Sequence, residues 1–337
     1  MGRPGVGKPA PYPRLLADVG GTRVRLAWLD RAGARPVRAA AYLSAEHAGI
    51  DAVIDRYLDE QRLPTPRAAA LAVAASVAGD RVEMSNLPWA FSVRALTRRW
   101  RLDRLLVLND FAALARGLPA APRGELTRVG GGSAVAGAPL AVLGPGTGLG
   151  VAGLLPGPTG PLPVVGEGGH VSLSAGNAEE ERVIAQLRAR FGHVSAERAL
   201  SGAGLVNLHR ACCELDGRDA GELDPAAISD RARAGSDPDC VRALALFFAF
   251  LGSVAGDLAL TLGARGGVFI AGGIVPRLGD AIAGSAFRDR FEAKGRFRSY
   301  LQRIPTRVVA DASRLALRGA DLALDGAPSS AVAARHR

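Results

Sequence analysis

The sequence predicts an α/β protein with two sheets and two domains, and three observations carry that prediction. The chain has 337 residues, 48% of them hydrophobic and 22% charged, which suits two domains of about 150 residues, each with its own hydrophobic core. Strand patterns alternate with helical patterns along its length. A strand, a glycine turn and a second strand open each half of the chain, in the manner of an internal repeat.

The first half begins with a leader, residues 1–13, which we expect to be flexible because it is rich in proline and has no periodicity. Strand patterns at residues 15–19 and 22–29 then flank Gly20 and Gly21, which predicts a hairpin. The other elements predicted in this half are a helix at 48–61, a buried strand at 69–77, a strand at 105–108, a helix at 111–116 and a domain crossing at 119–132.

The second half repeats the opening, with strands at 140–143 and 149–155 around a glycine turn. A helix at 177–190 is well signalled, since Asn177 can cap it and Gly192 can end it. The remaining predicted elements are two helical patterns, a strand at 267–271, a strand at 307–310 and a helix at about 315–324. We expect a small domain of residues 14–120 plus 314–337, and a large domain of residues 121–313.

The charge balance is basic, with a formal net charge of +10. Most arginines alternate with acidic or apolar residues, which favours a solvated basic surface over a nucleic-acid site. The densest basic stretch, residues 288–307, is interleaved with aromatic residues and leaves nucleic-acid binding as a minor alternative.

Cysteine usage and hydropathy favour a cytoplasmic protein. Cys212, Cys213 and Cys240 are too few for a disulfide framework and suit a reducing compartment. The apolar stretch at residues 243–256 is bounded by charged Arg242 and Asp257, too closely for a membrane span. We therefore expect no membrane partner.

Two glycine turns are candidates for binding polyphosphate, because backbone amides approach phosphates most closely where no side chain intervenes. The first glycine turn, residues 18–22, also carries Asp18, a carboxylate of the kind that holds Mg²⁺. The second glycine turn, residues 144–148, carries the hydroxyl of Thr147. Each turn alone is a weak signal, since most glycine hairpins bind nothing. Their pairing, with Gly272 and Gly273 after a third strand, favours a nucleotide site.

Asp110 lies where a strand gives way to a helix. Such an aspartate is often only a helix cap. Strand ends are also where α/β proteins bind ligands, and a carboxylate there can take a proton from a hydroxyl that attacks phosphorus.

Glu167, His170 and Glu197 are polar groups suited to hydrogen-bonding the hydroxyls of a polyol. Each also has a purely structural interpretation: Glu167 as a solvated loop acid, His170 as a hydrogen-bonded loop histidine, and Glu197 as a surface partner of Arg198. The spacing fits neither a metal site nor a nucleophile elbow.

Seven motifs run in order from about residue 15 to residue 320. They are Leu16-Ala17-Asp18-Val19-Gly20-Gly21-Thr22, Asn109-Asp110-Phe111, Leu143-Gly144-Pro145-Gly146-Thr147-Gly148-Leu149-Gly150, Gly166-Glu167-Gly168-Gly169-His170, Val194-Ser195-Ala196-Glu197-Arg198-Ala199-Leu200-Ser201-Gly202, Ile270-Ala271-Gly272-Gly273-Ile274-Val275-Pro276-Arg277 and Lys294-Gly295-Arg296-Phe297. Together they resemble the bacterial glucokinase family over nearly the whole chain.

The resemblance implies a two-domain actin-like (ribonuclease H-like) ATPase fold, with a cleft between the domains, and the transfer of a phosphoryl group from ATP to glucose. It implies that Asp110 takes the proton from the glucose 6-hydroxyl. The other residues implied in glucose binding are Asn109, Glu167, His170 and Glu197. The nucleotide-binding residues implied are Ala17, Asp18, Val19, Gly20, Gly21, Thr22, Gly146, Thr147, Gly148, Gly272 and Gly273, with Asp18 at Mg²⁺.

The resemblance further implies a homodimer. The related repressor-type sugar kinases carry a cysteine-rich zinc motif, which Cys212, Cys213 and Cys240 do not form. Two alternatives remain open: a kinase for another hexose or with polyphosphate as donor, and a weakly catalytic regulator that senses sugar.

Overall fold

The computed structural model describes residues 9–158 and 160–326. The chain divides into two compact units: unit 1 is Met1–Ala121 with Ser313–Arg337, and unit 2 is Pro122–Ala312. The strands are β1 Arg14–Val19, β2 Arg23–Leu29, β3 Val37–Leu43, β4 Ala68–Val73, β5 Arg81–Glu83, β6 Ala90–Ser92, β7 Arg104–Asn109, β8 Leu126–Gly130, β9 Leu140–Pro145, β10 Leu149–Leu155, β11 Leu162–Val165, β12 Gly267–Ile270 and β13 Thr306–Val309. The helices are α1 Ile50–Glu60, α2 Val93–Arg99, α3 Asp110–Gly117, α4 Ala178–Phe191, α5 Gly202–Leu215, α6 Pro225–Ala234, α7 Pro238–Leu262, α8 Phe287–Glu292, α9 Arg298–Gln302 and α10 Ala312–Gly326.

Each unit is built on one main sheet, and the two sheets share a strand order. Unit 1 has the order β3-β2-β1-β4-β7, and unit 2 has β11-β10-β9-β12-β13 with β8 added at the far edge. In both, the first three strands are antiparallel and the next two run parallel to the third. The repeat of strand, glycine turn and strand predicted for each half is therefore part of a larger structural repeat.

Most predicted elements are present, with local differences. The strand predicted at residues 69–77 ends at Val73, because the amide of Ala75 turns back to the Val73 carbonyl. The crossing predicted at residues 119–132 contains β8, an edge strand paired with β13. Strand β3 was not predicted, since most of its side chains are exposed and it has no buried alternation.

Helix α4 follows its predicted signals. Asn177 caps it by accepting a hydrogen bond from the Glu180 amide (2.9 Å), and Gly192 ends it with a φ of 71°. Positive φ angles favour glycine because it has no Cβ atom.

Helix α7 is the central helix of unit 2. It is long and apolar enough to cross a bilayer, but 72% of its most apolar window is buried within the protein. It packs against α5, α6 and α8. Its hydropathy is thus explained by its place in the core.

In unit 1, helix α10 packs closely on α3. A Cβ atom added to Gly319 would overlap the carbonyl oxygen of Ala113, and one added to Gly117 would overlap that of Leu315. The two glycines therefore allow the backbones of α3 and α10 to touch. Since α3 begins at Asp110, this contact also helps to fix that end of the helix.

A buried arginine joins α10 to the sheet of unit 1. Arg14 in β1 is fully buried and pairs with Asp321 (2.6 Å) and Asp325 (2.5 Å). Its guanidinium also donates to the carbonyl of Ala10 (2.5 Å), and the Ala10 amide donates to Asp325 (3.1 Å). Of the predicted leader, residues 1–8 lie outside the described residues, whereas Ala10 is anchored to α10.

Part of the basic stretch at residues 288–307 is committed to internal contacts. Arg288 donates to Glu292 (2.6 Å) and to the carbonyls of Ile304 (3.0 Å) and Leu301 (2.8 Å), and burial lowers its pKa. Phe287 and Phe291 are fully buried. These side chains serve the core of unit 2, whereas Arg296, Phe297 and Arg298 are exposed, so the nucleic-acid alternative keeps only the exposed part of the stretch.

Candidate active site

The first glycine turn joins β1 to β2 in unit 1. The amide of Gly20 donates to the carbonyl of Arg23 (3.0 Å), which closes the turn. The fully buried Ser44 stabilises the turn with two hydrogen bonds. Its hydroxyl donates to the Gly20 carbonyl (3.1 Å) and its amide donates to the Thr22 carbonyl (3.0 Å). A Cβ atom on Gly21 would lie 3.0 Å from the Cβ of Asn86, so this backbone is closely packed on one side.

The predicted nucleotide-binding residues in and just before this turn differ in exposure. Ala17 and Val19 are fully buried, and their side chains belong to the core. Asp18 is partly exposed, Gly20 and Gly21 are half-buried and Thr22 is exposed. Residues 20–22 of the turn are thus accessible to a ligand, whereas the side chains of Ala17 and Val19 are not.

Asn109 and Asp110 form the start of α3. Asn109 is the N-cap: its side chain accepts from the Ala112 amide (3.1 Å) and donates to the Ala75 carbonyl (3.3 Å). Asp110, in the first turn, accepts from the Phe111 amide through Oδ1 (2.9 Å). The capping role considered for Asp110 therefore falls to Asn109, and the Asp110 carboxylate is partly exposed.

The register of the sheet brings the first glycine turn and Asp110 to one edge of unit 1. Val19 pairs with Val73, and Val73 pairs with Asn109, across three parallel strands. The carboxyl ends of β1, β4 and β7 are thus in register at one edge of the sheet. Two strand spacings separate the first and the third, so the turn and the start of α3 are on the order of 10 Å apart. This is the edge where parallel sheets bind ligands.

Asp18 is the carboxylate of the first glycine turn. Its side chain is 13% exposed, and the guanidinium of Arg25, its register partner on β2, lies 3.6 Å away. A single carboxylate beside a phosphate-binding turn fits Mg²⁺, which keeps several waters and usually takes one or two carboxylates. Arg25 places a positive charge beside the same carboxylate.

The second glycine turn joins β9 to β10 in unit 2. The amide of Gly146 donates to the Gly148 carbonyl (2.8 Å), and the Gly202 amide at the start of α5 donates to the Gly146 carbonyl (2.9 Å). Thr147 is exposed at its tip. Helix α5 thus supports a turn whose hydroxyl faces solvent.

Gly272 and Gly273 lie against the second glycine turn. Gly272 has a φ of 80°, and a Cβ atom there would overlap the carbonyl oxygen of Pro145. The Ile274 amide donates to the same carbonyl (3.3 Å). Since β9 and β12 are parallel neighbours, the second glycine turn and Gly272–Gly273 lie at the same edge of the sheet in unit 2. The first glycine turn and Asp110 share a sheet edge in unit 1 in the same way.

Glu197 belongs to this group as well. Its Oε2 accepts a hydrogen bond from the Leu149 amide (2.8 Å), and a Cβ atom on Gly148 would overlap that oxygen. The structure therefore does not place Glu197 as a surface partner of Arg198. It is half-buried and fixed to the end of the second glycine turn.

Glu167 and His170 lie on the loop after β11. Gly168 and Gly169 between them pack on β10, where a Cβ on Gly168 would be 2.9 Å from the Cβ of Val151. The next residues reach Glu197, since the amide of Ala196 donates to the Val171 carbonyl (2.9 Å). The structure thus brings Glu167, His170 and Glu197 into neighbouring segments, with Glu167 and His170 exposed.

A buried ion pair that was not predicted holds the loop after His170. Glu180, 1% exposed, accepts from the Gly176 amide (2.7 Å) and pairs with Arg290 (2.8 Å). Arg290 also donates to Ser253 (2.9 Å) and lies against Gly176 so closely that a Cβ there would overlap it. Helices α4, α7 and α8 thereby hold the loop at residues 171–177, which follows the predicted sugar-binding residue His170.

Comparison with known proteins identifies the family. The glucokinase profile matches residues 15–327. A glucokinase of Aromatoleum aromaticum is 52% identical over 317 residues, which are 94% of this chain and 96% of that protein. A glucokinase crystal structure from an Antarctic psychrotroph is 35% identical, with a TM-score of 0.82, covering 93% of this chain and 98% of that one.

A more distant structure extends the likeness of fold. The ROK family glucokinase of Streptomyces griseus, solved in complex with glucose and AMPPNP, has a TM-score of 0.63 at 18% identity, and the match covers 93% of this chain and 99% of that one. The neighbouring folds are those of sugar kinases of the actin-like ATPase class. From its profile match and its curated relatives, the chain belongs to the glucokinase family.

Proposed function

We propose that this protein transfers the γ-phosphoryl group of ATP to the 6-hydroxyl of glucose, giving glucose 6-phosphate and ADP, the first step of glycolysis. The observation that carries the residue assignment is the common sheet edge of Asp110 and the first glycine turn. A base and a phosphate-binding turn on one rigid edge meet the main requirement of phosphoryl transfer, which is positioning.

Asp110 is the proposed base. The glucose 6-oxygen forms a bond to the γ-phosphorus while the bond from that phosphorus to the β,γ-bridging oxygen breaks, and ADP leaves. The hydroxyl proton passes to the Asp110 carboxylate. Oδ1 is held by the Phe111 amide, and this contact orients the carboxylate without requiring the helix to move. Such a positioned base is worth about 10²- to 10⁴-fold in rate.

The remaining glucose hydroxyls are assigned to Asn109, Glu167, His170 and Glu197. Asn109 has its side chain fixed by capping α3, and Glu197 has one carboxylate oxygen fixed by Leu149. Groups already held by the backbone lose little freedom when they bind a ligand, which favours affinity and selectivity for a given hydroxyl pattern.

ATP is assigned to the two glycine turns, with the adenosine beside Gly272 and Gly273. The AMPPNP complex of the Streptomyces griseus relative supports ATP as the donor. Asp18 would hold Mg²⁺, which neutralises phosphate charge when bound. Arg25 faces the Asp18 carboxylate at 3.6 Å and adds positive charge there.

An ADP-release assay tests the proposal. Purified protein with glucose, ATP and Mg²⁺ should produce ADP at a rate that saturates with both substrates. Mannose, fructose and glucosamine should be poorer acceptors, and polyphosphate a poorer donor. If another sugar is phosphorylated faster than glucose, or polyphosphate is a better donor than ATP, that compound is the substrate and the assignment of glucose or ATP is wrong.

A sugar-sensing regulator predicts a different outcome. It would bind glucose tightly by calorimetry and release negligible ADP. The assay and the calorimetric measurement together therefore separate the two functions.

We also propose that the protein is a cytoplasmic homodimer. Three free, buried cysteines support a reducing compartment. Strand β11 lies at a sheet edge, with Leu162, Val164 and Val165 exposed, and this supports self-association. Light scattering after size exclusion should give twice the 34.7 kDa chain mass, and a monomer would contradict it.

A further inference from the structure

A cluster of metal-ligating side chains lies in unit 2, apart from the residues assigned to catalysis. The ligand atoms of His209, Asp237 and Cys240 all lie within 4.8 Å of one another. A fourth group is close by: the Sγ atom of Cys213 is 3.7 Å from Nε2 of His209. We call these four residues the His-Cys cluster.

Two rigid helices supply the His-Cys cluster. His209 and Cys213 are one turn apart on α5, whereas Asp237 and Cys240 are one turn apart at the start of α7. Because residues at i and i+4, or i and i+3, share one helix face, each pair points the same way. Helices α5 and α7 pack together, and this packing brings the two pairs face to face.

The cluster is buried and its acid is already oriented. His209 is 4% exposed, Cys213 2% and Cys240 fully buried. Asp237 caps α7, with Oδ1 accepting from the amides of Asp239 (3.0 Å) and Cys240 (3.1 Å). Its side chain is 23% exposed, so the cluster opens to solvent at this residue. An ion therefore has an entry route past Asp237.

The ligand types suit a borderline-soft divalent cation. Imidazole nitrogen, thiolate sulfur and carboxylate oxygen are the three ligand classes of protein-bound Zn²⁺. Tetrahedral Zn²⁺ with bonds of about 2.0–2.3 Å holds its ligand atoms about 3.3–3.8 Å apart. The separations of up to 4.8 Å among His209, Asp237 and Cys240 thus need to contract by about 1 Å, which side-chain rotation can supply.

The acids around the cluster already have arginine partners. Asp239, the other acid near Cys213, is paired with Arg218 (2.5 Å), which also holds Asp216 (2.7 Å). Arg231 lies 3.6 Å from Oδ2 of Asp237, where it offsets the negative charge that two thiolates and a carboxylate would add.

We propose that His209, Asp237 and Cys240 bind Zn²⁺, with Cys213 as the fourth ligand. Coordination of each sulfur releases its thiol proton to solvent, so no oxidant or reductant is needed. The ion joins α5 to α7. Its effect is expected on the stability of unit 2 rather than on the chemical step, since none of the four residues belongs to the proposed active site.

Cobalt(II) is the probe for this site, because tetrahedral Co²⁺ with thiolate ligands absorbs in the visible and gives a sulfur-to-metal band in the near ultraviolet. The full-length protein, stripped with chelator under reducing conditions, should develop both bands at one equivalent of Co²⁺. Zn²⁺ should abolish them, and should raise the melting temperature.

Matched cysteine variants locate the site. Cys240→Ala should weaken Co²⁺ binding by about 100-fold or more. Cys212→Ala is the control, since Cys212 is equally buried and adjacent in sequence but lies outside the cluster. Should Cys240→Ala fail to fold, His209→Gln takes its place. Absence of the sulfur band in the folded wild-type protein, or Co²⁺ binding with wild-type affinity in the folded Cys240→Ala or His209→Gln variant, would overturn the proposal.

Discussion

The carboxylate of Glu197 accepts a hydrogen bond from the backbone amide of Leu149, with 2.8 Å between Oε2 and N. Leu149 is the first residue after the second glycine turn, and a Cβ atom on Gly148 would overlap the same oxygen. A residue assigned to glucose is thereby fixed to a turn assigned to ATP. With these proposed assignments, we expect the contact to couple the binding of the two substrates through one side chain.

This coupling predicts a difference between two substitutions at position 197. Glu197→Ala removes the acceptor of the Leu149 amide, and a hydrogen bond to a charged group is worth about 1.5–3 kcal/mol. We expect KM for glucose to rise by about tenfold or more, and KM for ATP to rise as well. Glu197→Gln keeps an acceptor oxygen, so it should raise KM for glucose while leaving that for ATP close to wild type. Initial-rate kinetics with each substrate varied decide this, and an unchanged KM for ATP in Glu197→Ala would refute the coupling.

The Glu180–Arg290 ion pair predicts an effect on glucose binding from outside the sugar site. Arg290→Lys keeps the charge but loses the planar fork that reaches both Glu180 and Ser253. The loop after His170 should loosen, which raises KM for glucose with kcat nearly unchanged. Arg188→Lys, on the solvent-exposed side of α4, is the matched control and should leave both constants as they are. Equal glucose KM values in the two variants would argue against a positioning role.

The close crossing of α3 and α10 predicts a specific sensitivity to one methyl group. In Gly319→Ala the new Cβ meets the backbone of Ala113, which cannot rotate away, so the helices must separate. Overpacking of this kind costs about 1–3 kcal/mol. Chemical denaturation should show the loss, whereas Gly284→Ala, where the added atom meets open space, should be close to neutral. Wild-type stability in Gly319→Ala would mean that the helices do not touch there.

The carboxylate of Asp80 predicts a pH-dependent contribution to stability. The amide of Arg94 and then the hydroxyl of Ser92 hydrogen-bond it, and they lower its pKa. A lowered folded-state pKa means stability that is present above the unfolded value and lost as the pH falls through the folded value.

Asp80→Asn should therefore lower the melting temperature at neutral pH, and the gap to wild type should shrink below about pH 4. Glu83→Gln alters an exposed ion pair and should have little effect at any pH. If the difference in melting temperature between wild type and Asp80→Asn stays constant from neutral pH to below pH 4, the Asp80 carboxylate does not make this contribution.

The sequence predicted the parts of the molecule that depend on local pattern. The glycine turns and the strands around them are set by neighbouring residues, and Asn177 and Gly192 mark the ends of α4. Strand β3 escaped prediction because it is mostly exposed, with only Tyr42 buried in it.

Contacts between distant segments were not predictable from pattern. Ser44 beneath the first glycine turn, and Arg290 beside Gly176, are joined to their partners only by the tertiary fold. The grouping of His209 with Asp237 and Cys240 likewise follows no linear motif, since the packing of α5 on α7 brings them together.

The most direct test of the account is the turnover of Asp110→Asn with glucose and ATP. Asparagine keeps an oxygen that can accept from the Phe111 amide, so α3 should begin as it does in the wild type. We predict that kcat falls by about 10²- to 10⁴-fold while ATP affinity, measured by calorimetry, stays close to wild type. A variant that turns over glucose at the wild-type rate would contradict the assignment of Asp110 as the base.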